Sequence, residues 1–202
     1  MGIPLTTNLI AELIKTHAKS AKAHIVGTSL GAHLGLELAA SHPAVVDVLF
    51  VTGLADVEPN ALRPVLPYGW FAFSSLTSVL PTALKRWAMD GTDLSVANAP
   101  KQDVEMSRQV LEVLYARPVL ESIGARTLVC AATKRDWYLP SGDDVGVARG
   151  VRGGVGSKAV SRAVEVPEYR HPWWVQDPEL FARTVMAWVE GSELPREVVV
   201  LE

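Results

Sequence analysis

The sequence predicts an α/β fold: a parallel sheet of about four strands flanked by helices, with a helical cap inserted between two of the strands. Three observations carry this. Short apolar runs bounded by glycine or proline alternate with stretches of helical periodicity. About 75 residues separate the second and third apolar runs, too many for one crossover. The chain's last strong pattern is a capped amphipathic helix.

The elements follow in order. Thr7–Lys19 reads as an amphipathic helix. Leu9 and Leu13, and Ile10 and Ile14, recur at helical spacing, while Glu12, Lys15 and Lys19 take other faces. Ala23–Val26 is an apolar run ending at Gly27, as a buried strand would. Leu30–Ala40 returns to helix, rich in Ala and Leu, and stops near His42 and Pro43. Val45–Val51 is β-branched and ends at Gly53, so it is the second strand. In the long connection, Leu76, Val79, Leu80 and Leu84 suit one helix, and Val104, Val110, Leu111 and Leu114 suit another. Thr127–Ala132 is the third strand and Lys158–Val166 a weaker fourth. Pro178–Val189 is the last helix: Asp177 can cap it, Pro178 suits its first turn, and Phe181, Val185 and Trp188 share a face. The expected organisation is one domain, with a core of residues 1–53 and 123–191 and a cap over about 54–122.

Composition narrows the function classes. The 202 residues are 49% hydrophobic and 20% charged, which excludes disorder. The net charge is −3 and neither half is basic, so nucleic acid is not an expected partner. Cys130 is the single cysteine, which excludes an internal disulfide and a cysteine metal cluster. No His, Asp and Glu spacing reads as a metal site, and no cofactor is expected. Gly154, Gly156 and Ala159 mimic a dinucleotide-binding pattern, but no apolar strand precedes them. Arg149, Arg152, Lys158 and Arg162 form a local basic run that reads as a solvated face. The N-terminus shows no signal-peptide pattern. Its Met-Gly start formally fits myristoylation, against which Pro4 counts. Pro64–Leu84 is uncharged and long enough to cross a bilayer, but Pro64, Pro67, Pro81 and three serines argue against a spanning helix. The expectation is a cytoplasmic protein without a membrane span.

The informative motif is Gly27-Thr28-Ser29-Leu30-Gly31, a G-x-S-x-G set between a strand and a helix. A nucleophile there sits on a strained turn, and the flanking glycines leave room for the backbone to bend. Ser29 Oγ is then presented above the sheet at a helix N-terminus, where the Leu30 amide can donate to a developing oxyanion.

With this motif the chain resembles the α/β-hydrolase family of esterases and lipases, from its first helix to Val189. The resemblance implies a partial α/β-hydrolase fold and a triad in the order Ser, Asp, His. Asp136, after the third strand, and His171, between the fourth strand and the last helix, stand in register for it. Asp56, after the second strand, is the alternative acid. The roles have a chemical basis. A serine hydroxyl is a poor nucleophile until a neutral imidazole takes its proton, and the imidazole needs a carboxylate to fix its tautomer. His33, on the helix after Ser29, reads as packing, and His17, His24 and His42 have no partner pattern.

A family member is expected to carry about four more strands before the Thr7 helix, with a loop supplying a second oxyanion amide. That pattern is absent ahead of Ser29, so the resemblance is to an N-terminally truncated member. The expected activity is hydrolysis of small apolar esters through an acyl-enzyme, with Trp70, Phe71, Phe73 and Trp87 of the cap favouring apolar groups. The alternative is a catalytically impaired homologue, or a gene-model fragment, that acts by binding. In either case Ala23–Val26 is expected to be an uncovered strand edge through which copies self-associate.

Overall fold

A computed structural model of the chain describes residues 3–56, 61–88, 90–92, 103–135 and 142–202. The described chain parts into two compact units, one of Met1–Asp56 with Ala116–Glu202 and one of Val57–Tyr115.

The first unit is a five-stranded sheet in the order β1-β2-β3-β4-β5. Its strands are β1 (Ala23–Thr28), β2 (Val46–Thr52), β3 (Arg126–Ala132), β4 (Arg162–Val166) and β5 (Val199–Leu201). The first four run parallel, so all end at the same edge of the sheet. β5 pairs antiparallel with β4 and extends the expected four strands by one. Its three residues are too few for a period to show in the sequence.

Helices cover both faces. On one lie α1 (Ile3–His17), α2 (Leu30–Ser41) and α6 (Val145–Gly154). Leu36 and Ala39 of α2 pack there with Leu49 and Val51 of β2 and Val129 of β3. On the other face, the short α7 (Trp173–Gln176) and α8 (Pro178–Glu190) pack Trp173, Leu180 and Trp188 against Val48, Phe50, Leu128 and Val164. Successive residues from Val48 to Val51 thus enter opposite cores, which is why that stretch of β2 reads as an unbroken apolar run. α8 begins as its sequence implies. The Asp177 carboxylate accepts from Leu180 N–H at 2.8 Å, and Pro178 occupies the first turn. The weak fourth strand is shorter than expected: Lys158 lies in a turn, and the strand begins at Arg162. Ahead of it, α6 was not legible, because four glycines dilute its period.

The second unit is inserted between β2 and β3. It contains α3 (Leu66–Val79), α4 (Thr82–Ala88) and α5 (Val104–Leu114), with α3 packed on α5. The sequence suggested one helix around Leu76–Leu84. Two form instead, because Pro81 cannot continue a helix and opens the next. Among the described residues no helix is long and apolar enough to cross a membrane.

His33 of α2 is buried, and its Nε2 accepts from Ala55 N–H at 3.4 Å. Burial, with a smaller contribution from the Arg117 charge, pulls its pKa down to about 4. The folded value is therefore depressed below the ordinary 6.5, so its contribution is complete above 6.5 and is lost as the pH falls towards 4. Denaturant titrations across that window should show stability falling with acidification, and less steeply in His33→Gln than in the parent chain. Equal slopes would show that another group governs this limb.

β1 is an edge strand. Its side chains His24 and Val26 are exposed, and among the described residues no strand pairs with its outer side. Such an edge predicts self-association. Light scattering on the 202-residue chain at tens of micromolar should find species larger than a monomer; a stable monomer would show that the edge is covered.

Candidate active site

The parallel strands β1, β2 and β3 end in register, with Thr28 beside Thr52 and Thr52 beside Cys130. Loops leaving this edge converge, as carboxyl ends of parallel strands do in open α/β sheets. Three of them carry the site.

The first loop is the turn from β1 into α2. Ser29 has φ 51° and ψ −119°, in the left-handed half of backbone space that non-glycine residues avoid at a cost of about 1–3 kcal/mol. Two features hold it there. Ser29 N–H donates to Thr52 C=O at 2.8 Å, continuing the β1–β2 ladder one residue beyond the strand. Gly27 lets the end of β1 approach the start of α2: a Cβ on it would lie 2.5 Å from Gly31 O and 2.8 Å from Ala32 Cα. Gly31 differs from expectation, since nothing lies within 4 Å of where its Cβ would stand. Of the two flanking glycines, sterics therefore require Gly27. The Leu30 amide opens α2 and is one of the first-turn N–H groups that a helix leaves without an internal acceptor.

The second loop runs from β4 to α7 and carries His171. Tyr169 O–H donates to Asp177 Oδ2 at 2.7 Å, Lys134 N–H to Tyr169 C=O at 2.9 Å, and Arg170 N–H to Gln176 Oε1 at 2.8 Å. The bond to Asp177 pushes the Tyr169 phenol up to about 12. The same carboxylate caps α8, and the Leu180 amide followed by Tyr169 holds its pKa below the ordinary range. Trp173 is fully buried and anchors the loop from below. The imidazole of His171 meets Trp174 edge-on, with ring centroids 5.5 Å apart, and its Nε2 stands 3.0 Å from Ser29 Oγ.

The third loop, after β3, carries the carboxylate that meets His171. Asp136 lies outside the described residues. His171 Nδ1 meets Asp143 Oδ1 at 2.7 Å. The alternative, Asp56, is an exposed carboxylate paired with Arg117 at 3.0 Å. Asp143 is held on both sides: its N–H donates to Ala132 C=O at 2.7 Å, and its Oδ2 accepts from Ala132 N–H at 3.0 Å. Arg135 braces the turn by donating to the carbonyls of Gly142 and Asp143. The Asp143 side chain is 5% exposed against 35% for His171, so the carboxylate is shielded and the imidazole can reach a bound molecule. Asp143 and Asp144 are adjacent, and Asp144 caps α6 by accepting from Gly146 N–H, which leaves Asp143 free for another task.

Gly53, after β2, completes the site and has no counterpart in the motif. Its φ is 75°, and a Cβ there would lie 2.7 Å from His171 Cε1 and 3.1 Å from Ser29 N. The missing side chain is where the imidazole sits. Cys130 is no rival nucleophile, since burial raises its thiol well above the ordinary range and keeps it protonated.

Ser29, His171 and Asp143 thus form a continuous hydrogen-bonded line. Such a line can move a proton from a hydroxyl to an imidazole and stabilise the charge produced.

The model of the alpha/beta hydrolase family matches residues 4–184. A curated AB hydrolase superfamily protein of Gibberella zeae is 30% identical over 190 residues, covering 94% of this chain and 64% of that protein. The chain therefore spans about two thirds of that relative's length. Among solved structures, an alpha/beta hydrolase enzyme from a Medee basin deep-sea metagenome library aligns with TM-score 0.65 at 16% identity, over 96% of this chain and 74% of that one. A hydrolase from Pseudomonas aeruginosa aligns with TM-score 0.62 at 16% identity, over 93% and 72%.

The three glycines should separate on alanine substitution. Gly27→Ala forces backbone apart and should cost about 1–3 kcal/mol, roughly 2–12 °C in Tm. Gly31→Ala should be within about 0.5 kcal/mol of the parent. Gly53→Ala should displace the imidazole, so nuclear magnetic resonance of His171 should change in the folded protein. Thermal scans and spectra check all three; a tolerated Gly27→Ala would contradict the close approach described.

Proposed function

The chain belongs to the alpha/beta hydrolase family, and on that premise we propose that it hydrolyses ester substrates with Ser29 as nucleophile, His171 as general base then acid, and Asp143 as the orienting carboxylate. The observation that carries this reading is the unbroken line Ser29 Oγ, His171 Nε2, His171 Nδ1, Asp143 Oδ1, with spacings of 3.0 and 2.7 Å.

The steps follow from the atoms. In the neutral imidazole Nδ1–H donates to Asp143, so Nε2 is left to accept from the Ser29 hydroxyl. As Ser29 Oγ bonds to the ester carbonyl carbon, its proton passes to Nε2, and Asp143 stabilises the imidazolium. The carbonyl oxygen becomes an oxyanion facing the Leu30 N–H and the helix N-terminus behind it. The C–O bond to the alcohol then breaks and Nε2 returns its proton to the leaving oxygen. Water repeats the sequence on the acyl-enzyme and releases the acid. The route uses no metal or cofactor. The proposed substrates carry an apolar acyl or alcohol part, a reading supported by the exposed aromatic side chains Trp70, Phe73 and Trp87 of the inserted unit.

A fluorophosphonate probe should label the folded chain at Ser29 and leave Ser29→Ala unlabelled; labelling independent of Ser29 would refute the nucleophile. Asp143→Asn should retain the fold and lose roughly 10⁴-fold in kcat, as tautomer-reversing substitutions do in serine proteases. Asp56→Asn should stay near the parent rate. A large loss in Asp136→Asn beside a silent Asp143→Asn would return the acid role to Asp136.

A further inference from the structure

We infer that Thr52, at the end of β2, is a positioning residue that references both Ser29 and His171 to one point of the sheet. The inference rests on the triad reading above and adds to it a residue outside the motif.

Every other residue of β2 that faces a core is apolar: Val46, Val48, Leu49, Phe50 and Val51. Thr52 is fully buried as well, and valine would fill the same space without burying a hydroxyl. A buried hydroxyl is retained without cost only where it is bonded. This one accepts from Trp173 Nε1–H at 2.9 Å, across 121 residues of chain. Trp173 lies two residues beyond His171, and at 0% exposure its indole N–H has no water to turn to. The backbone carbonyl of the same threonine accepts from Ser29 N–H at 2.8 Å.

One residue therefore fixes the nucleophile's backbone through its carbonyl and the base's loop through its hydroxyl. The next residue, Gly53, leaves the place in which the imidazole lies. The Thr52 neighbour on β3 is Cys130, two residues before Ala132, whose N–H holds Asp143. The 3.0 Å separation of Ser29 Oγ and His171 Nε2 is a difference between two positions measured from Thr52. Loss of the hydroxyl strands a buried donor and frees the His171 loop to shift. Displacements of about an ångström cost up to 10²-fold in rate.

The test compares Thr52→Val, Thr52→Ser and Trp173→Phe with the parent chain, each checked for folding by circular dichroism. Two readouts are used: the rate constant for fluorophosphonate labelling of Ser29, and the low-field proton resonance of His171 Nδ1–H on Asp143. Thr52→Val should label roughly tenfold to a hundredfold more slowly, with the resonance broadened or moved. Thr52→Ser, which keeps the hydroxyl, should stay within about threefold of the parent and keep the resonance. Thr52→Val combined with Trp173→Phe should be no slower than the worse single variant, because both remove one bond. Should Thr52→Val not fold, Trp173→Phe carries the same test from the donor side. A folded Thr52→Val with the parent's labelling rate and resonance would overturn the inference. So would a Thr52→Ser as impaired as Thr52→Val, since the methyl would then be what matters. Failure of the parent chain to label at Ser29 would instead refute the nucleophile, and the resonance would still decide whether Thr52 positions His171.

Discussion

The close approach of the end of β1 to the start of α2 is the constraint on which the site depends. At Gly27 the two backbones pass so near that a Cβ would collide with Gly31 O. That proximity forces the chain to reverse within Thr28 and Ser29 and drives Ser29 into a positive φ that serine does not favour. The strain is local and the forces that offset it are not. Ser29 N–H is held by Thr52 C=O, while α2 is pressed onto the sheet by Leu36 and Ala39 against Leu49 and Val51. The turn cannot relax without unpacking that helix, so the hydroxyl stays raised above the strand ends.

Parallel pairing then brings the other groups to the same place. In a parallel sheet each strand must finish at the edge where its neighbour finishes, so loops far apart in sequence meet there. Ser29 and His171 are separated by 142 positions and His171 and Asp143 by 28, yet each pair is within hydrogen-bond distance. β2 and β3 pair in unbroken register although the unit of Val57–Tyr115 separates them in the chain.

Burial divides the work among the polar groups. Asp143 is shielded and satisfied by the Ala132 amide, which fixes its second oxygen and leaves the first for the imidazole. His171 is more open, as a group that meets a substrate must be. His33, four residues beyond Ser29 on α2, is buried deeply enough to remain neutral, so it adds no charge beside the nucleophile's helix.

Much of this was legible in the sequence because it is written in short-range patterns. The apolar run of Val48–Val51, the G-x-S-x-G turn at Ser29, the Asp177–Pro178 start of α8 and the placement of His171 before it all arise from a few consecutive residues. Each has steric or hydrogen-bonding preferences of its own. What the tertiary structure alone decided concerns pairs distant in the chain. Asp136 and Asp143 follow the same strand and are chemically identical. The choice of Asp143 for His171 depends on where the loop returns to bond Ala132 on both sides. Gly53 is an ordinary strand terminator until His171 arrives beside it, and Thr52 an ordinary strand threonine until Trp173 points its N–H at it. β5 gains strand character only from β4. Periodicity and turn chemistry are properties of the neighbouring backbone; the closing of long loops onto one sheet edge is not, and it completes the site.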